Sequence, residues 1–387
     1  MAPKIEGTCG EKFRRVRETF AANFEGGGEI GAAIAVTLDG VPIVDLWGGH
    51  ADAARTRPWT RDTLVNIYSS TKGLTAMCAH RLVDQGKLDL DAPVARYWPE
   101  FAQAGKDKLP VRFLLSHQAG LPAVRKQLAP GTFYDWNAMC AALAEQEPWW
   151  EPGTRHGYHA ITYGWLVGEV IRRVSGKTMG AYFRDEIARP LDLDAHVGLD
   201  AKEDARVAEI VAAPPPPSGA PNPLSAMLQN PESLIARAIT NPPVVVVDPK
   251  VVNSRAFRAM ELPSANGHAT ARALARVYGA LACGGDIKGH RVLSTASIER
   301  AYTEQAFGFD EVLQQTTRIG LGFMLSHAAA RLGPNPHAFG HPGAGGSLGF
   351  ADPEAKIGFG YAMNQMGSDT VMDPRTFRLI DAVYASL

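Results

Sequence analysis

The strongest constraint on the fold is the position of strand-like apolar runs. Near the N-terminus, runs at 32–38 and 41–46 flank Asp39-Gly40, a pair suited to a two-residue hairpin turn. Strand-like runs return only in the last third, at 319–325, 338–340, 347–350 and 357–363, with Asp352-Pro353-Glu354 as a turn. Between these ends the chain reads mostly with helical period. Strands at both ends around a helical middle imply an α+β class, with an antiparallel sheet built from both termini. On this reading 1–68 and 261–387 form the sheet region and 69–260 a mainly helical region, all within one unit spanning 1–387. The segment 201–260 is proline-rich (Pro214 to Pro217, Pro221, Pro223, Pro242, Pro243, Pro249) and reads either as a linker or as a lid or pocket wall.

Local signals punctuate the helices. Phe13, Val16, Phe20 and Phe24 fall on one side of a helix over 9–24, broken by Gly26-Gly27-Gly28. Gly86 and Gly176 are suited to C-terminal caps, while Thr178, Thr270 and Ser294 open helices and 375–386 forms a last one. A formal charge of −1 gives no electrostatic reason to expect nucleic acid or an anionic membrane as partner. No apolar run is long enough to span a bilayer, and residues 1–24 are too charged for a secretory leader. Cys9, Cys78, Cys140 and Cys283 are far apart and form no CxxC, so reduced thiols and a cytoplasmic setting are expected. Neither metal nor cofactor is expected, and the oligomeric state stays open, a homo-oligomer included.

The chemistry centres on Tyr68-Ser69-Ser70-Thr71-Lys72-Gly73. Positions i and i+3 share a helix face, so the Ser69 hydroxyl and the Lys72 amine can enter one cleft. At a helix N-terminus, free amides and the dipole favour a developing alkoxide. An unprotonated lysine there takes the serine proton, and the pair acts as nucleophile and base. The plainer alternative is a capped helix with a solvated lysine, although no other serine in the chain has lysine at that offset. Tyr158, on the loop Gly157-Tyr158-His159-Ala160, is either an ordinary packed ring or a second acid/base, its phenol drawn down by a neighbouring ammonium. The glycines of 339–349 imply close backbone approach around His341, where a strand can lay an amide against an oxyanion. Gly345-Gly346-Ser347-Leu348-Gly349 fits G-x-S-x-G, but a turn rather than a helix follows it. His156 and His159 lack a third ligand and read as solvated loop histidines.

Together the Ser69-x-x-Lys72 tetrad, the Tyr158 motif and the His341-Pro342-Gly343 box resemble the serine β-lactamase and penicillin-binding-protein superfamily. Within it the likeness is to class C β-lactamases, D-alanyl-D-alanine carboxypeptidases and above all family VIII carboxylesterases. It runs over roughly residues 20–370 and includes the segments 114–122 and 150–153. The resemblance implies a β-lactamase-like fold, with Ser69 as nucleophile, Lys72 as its base and Tyr158 relaying the proton to the leaving alcohol. It places the oxyanion hole at the backbone N–H groups of Ser69 and Ala344. His341, Gly343, Trp149 and Trp150 become candidate substrate contacts. Two positions depart from the pattern: Ala160 stands where the class C tyrosine motif ends in Asn, and Pro342 where the box keeps a hydroxyl residue. Losing both removes polar handles for β-lactams and peptide termini. The expectation is a hydrolase of small carboxylic esters with short-to-medium acyl groups. A β-lactamase, a D-amino-acid peptidase or an acyltransferase would use the same residues, whereas a non-catalytic scaffold would not need all three.

Overall fold

The computed structural model describes residues 3–25, 28–214, 230–287, 289–368 and 372–387. Gly26, Gly27 and the prolines at 215–217, 221 and 223 lie outside the described residues. Nine strands form one antiparallel sheet: β1 (Ile5–Cys9), β2 (Gly31–Leu38), β3 (Val41–Gly49), β4 (Ala306–Phe309), β5 (Thr316–Ile319), β6 (Met324–Leu325), β7 (Phe339–Pro342), β8 (Leu348–Asp352) and β9 (Ile357–Met363). Their spatial order is β1-β3-β2-β9-β8-β7-β6-β5-β4, so the two chain ends meet where β2 pairs with β9. Asp39 and Gly40 both take positive φ, +50° and +73°, in the turn joining β2 to β3.

The alternation along β2 and β9 decides what packs on each face of the sheet. Ile34, Val36, Phe359 and Tyr361 face helices α1 (Arg14–Ala22) and α5 (Pro374–Tyr384), burying Val16, Phe20, Leu379 and Val383. The intervening residues are small, and helix α4 (Ala271–Ala282) lies close on them. A Cβ at Gly358 would come within 2.2 Å of Gly279 N and 2.4 Å of Ala275 O. Any side chain there would lift α4 off the sheet.

Helix α2 (Thr71–Asp84) is buried almost throughout and packs against α3 (Thr162–Ser175). It ends in a Schellman motif, with Gly86 at φ +69° and Lys87 N–H donating to Leu82 O at 2.9 Å. Gly176, at φ +71°, ends α3 in the same conformation. Thr178, Thr270 and Ser294 each accept a backbone N–H at the start of their helices. A small three-stranded sheet of Val65–Asn66, Ala195–Val197 and Gly267–Ala269 leads the chain into α2.

Two sequence expectations need correction. The N-terminal helix begins at Arg14, not at 9, because residues 5–9 pair with β3. The run 319–325 is two strands, since Gly322 turns at φ +87° between Ile319 and Met324. Strand β4 leaves no clear mark in the sequence: it is a four-residue edge strand with Phe307 and Phe309 exposed, too short for a clear period. Within 230–260, Val252 and Phe257 are buried, and the Asn241 side chain donates to Val124 O at 2.8 Å. No helix among the described residues is long and apolar enough to cross a membrane.

Candidate active site

The strand Val65–Asn66 delivers the chain to one 3-10 turn, Tyr68–Ser70, directly ahead of α2. Tyr68 is held at φ +43°, an uncommon conformation for a bulky residue. It is supported by Tyr68 N–H donating to Asn66 Oδ1 at 2.9 Å. Ile67 N–H donates to Gly267 O at 2.9 Å, and Gly267 N–H to Thr71 Oγ1 at 2.8 Å. The turn that presents Ser69 is therefore fixed from both sides.

Lys72 Nζ lies 3.2 Å from Ser69 Oγ, 2.7 Å from Ala160 O and 2.9 Å from Ser264 O. Burial holds its pKa well below the ordinary lysine value. A neutral amine has two N–H groups and one lone pair. The two carbonyls take the N–H groups, and the lone pair is left for the Ser69 proton. Tyr158 completes the group, its ring centroid 4.7 Å from Lys72 Nζ. The expected lowering of its phenol does not occur: burial pushes it up, and its hydrogen bond with Ser69 offsets only part of that. Beside an uncharged lysine the phenol keeps its proton and can act as an acid.

The two N–H groups expected to form the oxyanion hole lie on two adjoining segments. Among the described residues, neither Ser69 N–H nor Ala344 N–H donates to any protein acceptor, whereas Gly343 N–H is taken by Ser347 O at 2.7 Å. Ser347 is buried, and its Oγ donates to Ile67 O at 2.8 Å. That buried hydroxyl ties the glycine loop to the turn that carries Ser69. A Cβ on Gly343 would sit 2.3 Å from Ile67 O, so only glycine allows this approach. From behind, Arg375 Nη2 donates to Gly345 O at 2.7 Å and Thr376 Oγ1 to Gly346 O at 2.8 Å.

The histidines correct the sequence reading. His159 is fully buried: Leu121 N–H donates to its Nε2 at 3.0 Å, so Nδ1–H donates to Gly157 O at 2.7 Å. His156 is buried beside Thr317, with 2.9 Å between Nε2 and Oγ1. Both fasten loop to scaffold, and neither is solvated. His341 is also buried, 6.0 Å from Tyr158 ring to ring, and donates Nδ1–H to Pro342 O at 2.8 Å. Among the described residues its bare Nε2 has no hydrogen-bond partner, and burial lowers its pKa to about 3. Trp149 is stacked under the Arg125 guanidinium, 3.6 Å from its ring centroid, and Trp150 packs against Gly157. Among the described residues no group of three or more His, Cys, Asp or Glu side chains is placed to hold a metal ion.

Arg375 and the buried Asp310, which accepts Tyr158 N–H at 3.0 Å, escaped sequence reasoning. Asp373-Pro374 does mark a helix start, but nothing local says where the next guanidinium goes.

Comparison with known proteins bears on this geometry. Over 375 residues the chain is 38% identical to the esterase/beta-lactamase LipL of Mycobacterium tuberculosis, covering 95% of this chain and 85% of that protein. A solved family VIII carboxylesterase is similar at 45% identity and TM-score 0.90, over 99% of this chain and 100% of that one. A penicillin-binding-protein homologue from Caulobacter crescentus is similar at 43% identity and TM-score 0.90, with the same coverage. The beta-lactamase family model matches residues 16–384, and with that match the chain belongs to the beta-lactamase family.

Proposed function

We propose that this protein is a serine carboxylesterase acting on small, uncharged esters through an acyl-enzyme on Ser69. The observation that carries the reading is the Ser69 hydroxyl 3.2 Å from a fully buried Lys72 whose two other polar contacts are carbonyls. Lys72 takes the Ser69 proton as Oγ attacks the ester carbonyl. The oxyanion forms against the free N–H groups of Ser69 and Ala344, each such donor being worth about 3–4 kcal/mol. Tyr158 gives its proton to the departing alkoxide and regains one from Lys72. Water then enters by the same steps in reverse, releasing the acid and free Ser69.

Substrate class follows from charge. Burial holds His341 and His159 neutral and disfavours the charged form of Lys72, so the site is poor in cations for a carboxylate. Pro342 and Ala160 supply no side-chain hydrogen bond in its place. A neutral ester loses nothing in such a site, whereas a β-lactam or a peptide C-terminus leaves its carboxylate unpaired. The likeness to a family VIII carboxylesterase supports the same reading.

Initial rates on p-nitrophenyl acetate and butyrate, beside a chromogenic cephalosporin, test this. Ester turnover should dominate and vanish in Ser69→Ala. A fluorophosphonate should label Ser69 in the wild type and in Ser347→Ala alike. Dominant cephalosporin turnover would replace the esterase reading with a β-lactamase one, and a label on any other serine would remove the site assignment.

A further inference from the structure

Tyr158 must present its phenol to Ser69 from a loop, because helix α3 begins only at Thr162. Its backbone N–H points into the protein, where a donor without a partner is costly. The acceptor that meets it is Asp310, a fully buried carboxylate some 150 residues further along the chain. Asp310 Oδ1 accepts Tyr158 N–H at 3.0 Å, Val312 N–H at 2.9 Å and Leu313 N–H at 2.8 Å. Asp310 N–H donates to Gln315 O at 2.9 Å and Asp310 O accepts Gln314 N–H at 2.9 Å, which closes the β4–β5 turn around the carboxylate. Glu311 N–H adds a second tie to the tyrosine loop, donating to His156 O at 3.1 Å. On the other side the loop is held by His159 N–H donating to His117 Nδ1 at 3.1 Å.

We propose that Asp310 is a positioning residue for catalysis: one carboxylate oxygen gathers three backbone N–H groups and so sets the place of Tyr158 relative to Ser69. Asp310 touches no reacting atom and acts only through the tyrosine. The groups facing the Tyr158 ring are Ser69, Lys72, His117 and His341. Those around the carboxylate are His156 and Thr317, whose Oγ1 lies 3.4 Å from Oδ2. All three gathered N–H groups fall on the same oxygen. An amide that keeps an oxygen in that position therefore preserves the clamp, and an alanine abolishes it.

The inference rests on the Ser69–Lys72–Tyr158 reading, and two independent readouts separate the two. The first is a cycle of Asp310→Ala and Asp310→Asn made in the wild type and in Tyr158→Phe, followed by p-nitrophenyl butyrate turnover. Asp310→Ala should lower kcat about tenfold or more with KM little changed. Asp310→Asn should recover most of that loss. In the Tyr158→Phe background neither change should cost more than about twofold, because the group it positions is already gone. An equal loss in both backgrounds would show a general structural effect and overturn the proposal. So would an Asp310→Asn that melts normally yet is as slow as Asp310→Ala. Should Asp310→Ala fail to fold, Asp310→Asn alone decides: retained kcat supports the clamp and a large loss overturns it. The second readout is backbone hydrogen exchange over 157–160, which needs no substrate. Exchange should quicken in Asp310→Ala and stay at the wild-type rate in Asp310→Asn, and the opposite pattern removes the clamp. A wild type that turns over no ester but shows the expected exchange pattern would retire the esterase reading while leaving the clamp in place.

Discussion

Lys72 and Lys106 are both buried, and their acceptors separate the proposed catalytic amine from a structural one. Lys106 Nζ donates to Gln103 O, Ala144 O and Gln146 O at 2.9, 2.9 and 2.6 Å, so three carbonyls match the three N–H groups of an ammonium. Lys72 meets two carbonyls and a hydroxyl, which leaves room for a lone pair. Ester turnover should therefore rise with pH as Lys72 loses its proton, with a midpoint well below the 10.5 of an ordinary lysine. It should then stay level, because Tyr158, pushed up by burial, keeps its proton over the same range. Lys72→Arg cannot deprotonate and should lose roughly a thousandfold or more at every pH. A pH–rate profile of both proteins checks this, and a fall beginning near neutrality would contradict the protonated phenol. Ser69 and Lys72 stood out in the sequence as an i, i+3 pair, whereas Tyr158 stood out only through the resemblance of its motif, since a loop tyrosine by itself is usually an ordinary packed ring. The protonation of Tyr158 was not legible, since it depends on burial by elements far away in the chain. His156 and His159 misled for the same reason: polar residues on a loop are usually solvated, and only packing against 117–121 and 310–317 buries them here.

At the scale of elements, the site is a junction of the nucleophile turn with the glycine loop after β7. Ser347, Arg375 and Thr376 hold that loop from three directions, and among the described residues Ala344 N–H meets no protein acceptor. Ala344→Pro tests the assignment through the backbone alone. Gly343 sits at φ −116° and ψ +151°, an extended conformation that a following proline accepts, and residue 344 opens a 3-10 turn. The substitution removes the N–H and puts Cδ in its place. A fall in kcat of about 10²–10³ with a normal melting transition is expected, and wild-type kcat would move the oxyanion hole elsewhere. The glycine box announced this close approach, because a Cβ at 343 has no room. The strands were legible where both faces are packed, as in β2 and β9, and illegible at the edges β1 and β4, where few residues alternate and one side is open.

The sheet is closed where the chain ends meet, and a buried charge cluster sits at that seam. Arg375 Nη1 lies 3.0 Å from Glu29 Oε2, and its Nε and Nη2 donate to Asp373 Oδ1 and Oδ2, both at 2.8 Å. Tyr361 bonds the other Glu29 oxygen. One guanidinium thus faces two carboxylates in a region without water-exposed surface, and burying both as anions leaves a net charge there. Asp373 holds the bidentate contact and also accepts Arg375 N–H at 2.8 Å. Glu29 is the group that gives way: burial raises its pKa from 4.5 to about 8, against the pull of Arg375. The sign of the consequence is fixed by linkage. A carboxyl whose folded pKa is raised is protonated in the native state while the unfolded chain releases its proton, so stability falls as pH climbs from 4.5 to about 8 and levels off above. Glu29→Gln removes this titration while keeping an oxygen toward Tyr361 or Arg375. The variant should melt like the wild type near pH 5 and progressively higher than it toward pH 8. The difference should be on the order of a few kcal/mol at full ionisation. Thermal melts across that window decide the matter. A constant offset between the two proteins would mean that Glu29 is ionised throughout, and that Arg375 holds the seam and its glycine loop as the centre of a charged triad.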